Sequence, residues 1–295
     1  MAHQTMTLEQ YVHDESEGFV SVVALPDGKQ LSLEITNVGC LFLSTWTSCF
    51  TEAFSRGKSW NGDYTWSDFQ VTHGHVHLSK QPESYGKDGI EKDSSKFVQD
   101  IEQIFMRQGS ELVSVYPPYL SDFVDRLKDL KIKDDILLPV YKFFLDNHMC
   151  MMPSYQRKFF IIAVYRKYER GSQKWITALG NASPGQIGWL KALSKVIVFQ
   201  DVINLANQEN RAYHETNSDA FRLARDVAMH GSEHRFERNI ERFPDNSGVE
   251  LMIPGYMNNF VAEIIAGIMK QAVDINQEGS CCLAAGHLDD RYCSA

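Results

Sequence analysis

A mainly α-helical architecture is what this sequence predicts, and three observations predict it. From Asp93 onward, apolar residues recur at spacings of three and four in one segment after another, as helices with one buried face require. Alternating, strand-like patterning is confined to the first 80 or so residues. Hydrophobic residues make up 43% of the 295-residue chain and aromatics 12%, enough to fill one large domain or two medium ones.

Taken in order, "VSVVALPDGKQLSLEI" (20–35) alternates about a Pro-Asp-Gly turn and predicts two strands. "GCLFLSTWTSCFTEAF" (39–54) has helical spacing, and "FQVTHGHVHLS" (69–79) reads as two short strands about His73-Gly74. Helices follow in "SSKFVQDIEQIF", "YLSDFVDRLKDL", "DDILLPVYKFFLDNH" and "SYQRKFFIIAVYRKY", separated by turns at "PESYGKDG", "YPP" and "MMPS". After the loop "GNASPGQ" come "IGWLKALSKVIVFQDVINLANQEN", "SDAFRLARDVAMH" and "PGYMNNFVAEIIAGIMKQAVDI". Ser218 or Asp219 is expected to cap the second of these helices, and Pro254-Gly255 to open the third. From about Gln277 the residues are small and polar, and a flexible tail is expected over 277–295.

The composition also limits function. No apolar run nears the roughly 20 residues that span a bilayer, and the start "MAHQTMTLEQYVHDESEG" is too polar and acidic for a signal peptide. A cytoplasmic address, or a nuclear one, is the expectation, with no membrane partner. Cys40, Cys49, Cys150, Cys281, Cys282 and Cys293 show no regular spacing, so free thiols are expected. A net charge of −9 argues against indiscriminate nucleic-acid binding, which depends on neutralising phosphates. One segment runs against that charge. "RKFFIIAVYRKYERGSQK" carries Arg157, Lys158, Arg166, Lys167, Arg170 and Lys174 against Glu169, six minus one giving +5, with aromatics interleaved. Such a mixture suits RNA, and a solvated helix face is the alternative.

Two motifs carry the chemistry. The first, "NGDYTWSDFQVTHGHVHLSKQP" (61–82), resembles the catalytic loop and following hairpin of protein kinases, H-R-D-x-x-x-x-N and then D-F-G. Asn61-Gly62-Asp63 falls on H-R-D, Asp68 on the magnesium-binding Asn, and Lys80-Gln81-Pro82 on D-F-G. A lysine replaces the metal-binding aspartate, and "MTLEQYV" resembles the helix that follows the kinase hinge, with no Gly-rich loop or strand lysine before it. The resemblance therefore implies a truncated, inactive kinase C-lobe that takes no nucleotide.

The second motif is "RDVAMHGSEH" (225–234). With "TLEQYV" and "FLDNHMCMMPSYQRKFFIIAVYRKY" it resembles the bifunctional kinase/endoribonuclease group of the ER unfolded-protein sensor and the 2-5A-dependent ribonuclease. There a kinase C-lobe runs into a helical KEN module, related to the wider HEPN pattern of Arg, four to six residues, then His. The resemblance implies residues 1–148 as the C-lobe-like domain and 149–276 as an all-helical KEN/HEPN-like module. It further implies Arg225 and His230 as the motif's pair, Tyr213 as an assisting tyrosine, Asp226 where asparagine is usual, no cofactor, and action as a homodimer or a heterodimer with a related full-length protein.

The chemistry fits those residue types. Metal-independent RNA cleavage needs a group that exchanges protons near neutrality, which is histidine, and a planar cation for the phosphorane, which is arginine. Asp226 stands one helical turn from His230, where a carboxylate repels phosphate. Arg225 and His230 are about 140° apart on an ideal helix, and Gly231 can end or bend it. Three alternatives stay open: a polar helix pairing Arg225 with Glu233 or Glu237, an H-x-x-E-H zinc site at His230, Glu233 and His234, and an inactive scaffold that regulates an intact relative. His73, His75 and His77 alternate on one face of the hairpin and could hold a metal, but solvated side chains are the expectation there.

Overall fold

The computed structural model describes residues 5–25, 31–83, 86–109, 112, 114–128, 138–171, 173–182, 188–231, 246–257 and 259–270. Among them the chain is mainly helical, with twelve α-helices and five short strands. It divides into two compact units, one of Met1–Val22 with Leu33–Pro153, the other of Val23–Ser32 with Ser154–Ala295. The tail from 277, with Cys281, Cys282 and Cys293, lies outside the described residues. Cys40, Cys49 and Cys150 are free thiols. Among the described residues no helix is long and apolar enough to cross a membrane.

In the first unit β1 (Met6–Thr7) leads into α1 (Leu8–Glu15). Thr7 starts the helix through a capping box, its hydroxyl accepting from Gln10 N–H while its own N–H donates to the Gln10 side chain. The two-stranded sheet of β2 (Val20–Ala24) and β3 (Leu31–Ile35), of which Val23–Ala24 and Leu31–Ser32 are counted with the second unit, precedes α2 (Asn37–Ser55), which forms the first unit's axis. Phe42, Leu43, Trp46 and Phe50 of α2 are fully buried. Phe50 stacks on Phe97 at 4.2 Å between ring centroids and Trp46 meets the same ring edge-on at 4.9 Å, arrangements that satisfy the aromatic quadrupoles.

The predicted hairpin about His73-Gly74 is present as β4 (Phe69–Thr72) and β5 (His75–Leu78), and β1 adds a third antiparallel strand. His73 and Gly74 take left-handed φ of 54° and 79°, the conformation a two-residue hairpin turn demands. β5 is an edge strand, and α2 covers its outward groups. Val76 N–H donates to Thr45 Oγ1 at 3.0 Å, and Cys49 Sγ–H points to Val76 O at 3.6 Å.

Beyond the sheet come α3 (Gly86–Phe105), α4 (Leu120–Lys128) and α5 (Leu138–Asp146). Asp93 of α3, wholly buried, holds the 60–63 loop: its oxygens accept from Trp60 N–H and Gly62 N–H, both at 2.7 Å. Those bonds fix two consecutive left-handed residues, Asn61 and Gly62. A second buried carboxylate, Asp122, accepts from His148 Nε2 at 3.0 Å and from Arg126 at 2.9 Å. His148 Nδ1 accepts from Cys150 N–H, so the ring's proton toward Asp122 sits on Nε2. Burial pushes Asp122 upward, but the bonds and charges of His148 and Arg126 outweigh it and hold the carboxyl below its usual range.

The second unit contains α6 (Ser154–Arg170), α7 (Gln173–Asn181), α8 (Trp189–Leu193), α9 (Ile197–Gln208), α10 (Asn217–His230), α11 (Asn246–Met257) and α12 (Phe260–Lys270). α10 is its centre, packed on α6, α7, α9 and α11 through Ala220, Phe221, Leu223, Ala224, Val227 and Ala228. Two expectations are corrected. The cap of α10 is Thr216, whose hydroxyl accepts from Asp219 N–H at 3.1 Å, and Ser218 and Asp219 fall inside the helix. Pro254 lies within α11 and does not open a helix. Burial of Val249, Leu251, Met252, Ile253 and Met257 on either side holds α11 through the proline.

Two stability predictions follow from the buried carboxylates. Asp93→Ala leaves two backbone donors without their acceptor and is expected to cost about 2–4 kcal/mol in urea unfolding. Because Asp122 is held low, its contribution is present above the unfolded value of about 3.9 and is lost as pH falls through the folded one. Unfolding free energy should therefore decline below about pH 4, and Asp122→Asn should flatten that decline while lowering stability at neutral pH.

Candidate functional site

The site is organised by one carboxylate on α10. Asp226 Oδ1 lies 2.7 Å from Arg225 Nη1, and Oδ2 accepts the Tyr213 phenol at 2.5 Å. Three of the four residues expected at a ribonuclease-type centre are thus brought together. Tyr213 stands in the 211–216 segment that enters α10. Arg222 fixes that segment, donating to Arg211 O at 3.1 Å and Ala212 O at 2.8 Å with its guanidinium 4.3 Å over the Tyr213 ring. Arg225 in turn lies 4.8 Å over the ring of Tyr165 from α6, and its Nη1 also points to Met229 Sδ at 3.6 Å. Neither Arg222 nor Tyr165 is among the site residues that the sequence singles out; the contacts that recruit them join residues 9 to 60 positions apart.

This geometry bears on each chemical role. Arg225 and Asp226 are 18% and 14% exposed, so their pairing is only partly screened by water. A phosphate reaching Arg225 meets the Asp226 charge, at a cost on the order of 1–4 kcal/mol. Tyr213 is 5% exposed, and burial, then the bond to Asp226, push its phenol far above its ordinary value. Its O–H is a hydrogen-bond donor to Asp226.

His230, half-buried, is the last residue of α10. The helix is regular up to it, so the five-residue spacing leaves Arg225 and His230 about 140° apart. Gly231 has an ordinary φ of −57° and its N–H donates to Val227 O. Space is what requires glycine there: a Cβ would lie 2.5 Å from Val249 Cγ1 and 2.6 Å from Val227 O. Glu233, His234 and Glu237 lie outside the described residues, and with them the zinc alternative and the pairing of Arg225 that the polar-helix reading needs.

The basic segment is divided by its helix. Arg157 is 1% exposed and donates to Glu250 of α11 at 2.9 Å, so it is corrected from an RNA contact to a buried structural ion pair. It shares the inward stripe with Phe160, Ile161 and Val164. Arg166 and Arg170 are exposed and Lys158 and Lys167 half-buried, while the Lys174 side chain lies outside the described residues. Tyr155 and Phe159, 57% and 45% exposed, put two unpredicted aromatics on the outer face.

In the 61–68 loop, the Asp68 carboxylate accepts from Thr65 N–H at 2.9 Å and its carbonyl from Ser79 and Lys80 N–H, so it closes a local turn. Lys80 and Asp63 are both exposed. Among the described residues no three His, Cys, Asp or Glu side chains are grouped to hold a metal ion. Comparison with protein-family models, with curated proteins and with solved structures gives no match.

The contrast within the basic segment is measurable. Arg157→Met strands a buried Glu250 and should cost about 3–5 kcal/mol in urea unfolding. Arg157→Met with Glu250→Leu should recover most of that loss, and Arg166→Ala or Arg170→Ala should stay within about 0.5 kcal/mol of the parent.

Proposed function

We propose that this chain is a catalytically silent scaffold, a kinase C-lobe-like unit joined to a KEN/HEPN-like helical unit, that dimerises with an intact relative and regulates it. The observation that carries the reading is the Asp226 carboxylate held between Arg225 at 2.7 Å and Tyr213 at 2.5 Å. Arginine stabilises a pentavalent phosphate by presenting a free planar fork, and here an anion already occupies one side of it. Lys80 supports the same reading for the first unit, since a cation at the metal-binding position leaves ATP phosphates no magnesium to bind.

One observation favours the active alternative, a metal-independent endoribonuclease working as a dimer. Arg225 and Tyr213 already share one partner, and His230 ends the same helix. In that alternative His230 is the acid/base, Arg225 stabilises the phosphorane and Tyr213 orients an oxygen.

Cleavage of a labelled RNA stem-loop in EDTA separates the two. The scaffold reading expects the wild-type chain to cleave no faster than His230→Ala. Asp226→Asn removes the charge with the shape kept, and should raise cleavage by a factor of ten or more, the equivalent of about 1.4 kcal/mol or more. Wild-type cleavage that vanishes in His230→Ala would replace the scaffold with the nuclease.

A further inference from the structure

We propose that His75 and His77 form a surface chelate for a divalent transition-metal ion of the zinc type, a site independent of the α10 network. Both are on β5, two residues apart, so both project from one face of the strand, while Val76 between them is 4% exposed and faces inward. Their rings are exposed, with centroids 6.4 Å apart and planes inclined by only 22°. Metal–imidazole bonds of about 2.0–2.1 Å place the centroids of two rings sharing one ion roughly 5–6.5 Å apart, a range that includes the separation of these two rings.

Three features make this more than two neighbouring histidines. The strand beneath them is fixed: Val76 is bonded on its outer edge to Thr45 and Cys49 of α2, and β4 is bonded along the other edge. The nitrogens are available, because among the described residues neither ring has a hydrogen-bond or ion-pair partner, their mutual ring contact being the interaction present. The residues directly opposite them, Thr72 across from His75 and Gln70 across from His77, are neutral, so neither cross-strand neighbour is a charged competitor. Paired imidazoles without thiolates suit Zn²⁺, Ni²⁺ and Cu²⁺ over Mg²⁺ or Ca²⁺, which prefer oxygen. Among the described residues no third His, Cys, Asp or Glu is grouped beside them, so from those residues the chelate is two-coordinate and water completes it.

Titration of the full chain with Zn²⁺ alone at neutral pH, followed by the ring ¹⁵N and Hε1 resonances of each histidine, tests the site. The rings of His75 and His77 should shift together along one saturable curve, tighter than that of His13, an exposed histidine paired with its neighbour Asp14. His75→Ala should weaken the response of His77 at least tenfold, and His77→Ala should do the same to His75. Both side chains are exposed, so circular dichroism should leave the fold of these variants unchanged. A smaller loss in either variant, or a response no tighter than that of His13, would overturn the chelate.

Discussion

Asp226 meets a guanidinium on one oxygen and a phenol on the other, and much of the second unit's order at this point descends from that double engagement. Without it, Tyr213 buries a hydroxyl with no acceptor and Arg225 leaves a mostly buried charge against the ring of Tyr165. With it, the segment entering α10 is tied to the middle of that helix, and Arg222 closes the arrangement by capping the carbonyls of Arg211 and Ala212. The same constraint recurs elsewhere in the chain: groups removed from water are matched across long sequence distances. Asp93 takes up two donors of the 60–63 loop, and Arg157 reaches Glu250.

The chemistry of the candidate site follows from which partner wins. Arginine binds carboxylate and phosphate through the same planar donors, so an internal carboxylate competes directly with any nucleic-acid phosphate. An amide at position 226 would accept from Tyr213 without contributing that charge. A single oxygen-for-nitrogen difference at position 226 therefore changes whether Arg225 faces a charged partner.

Much of the helical layout was legible because apolar spacing reports the buried face directly: α2, α3, α6, α9 and α10 fall on segments with that pattern. The hairpin at His73-Gly74 was legible from its alternation and its turn. Thr216 was missed as a cap because Ser218 and Asp219 are equally good caps by type, and the choice depends on where α10 begins to be covered. Pro254 misled because packing on both sides of it sustains α11. Arg157 could have been separated from its neighbours: it stands four residues before Ile161 and seven before Val164, on the inward stripe. Glu250, 93 residues away, could not have been foreseen, nor could the stacking of Arg225 on Tyr165. Sequence spacing reports faces of one helix, and these pairs depend on which helices meet.

If Asp226 withholds Arg225 from phosphate, RNA binding reveals it without requiring turnover. Anisotropy of a labelled stem-loop carrying 2'-deoxy sugars, titrated at several salt concentrations, gives the affinity and the number of phosphates engaged. The account predicts that Arg225→Ala binds as the wild-type chain does, and that Asp226→Asn binds at least tenfold more tightly with a steeper salt dependence. Wild-type binding that weakens tenfold in Arg225→Ala, with no gain in Asp226→Asn, would contradict it.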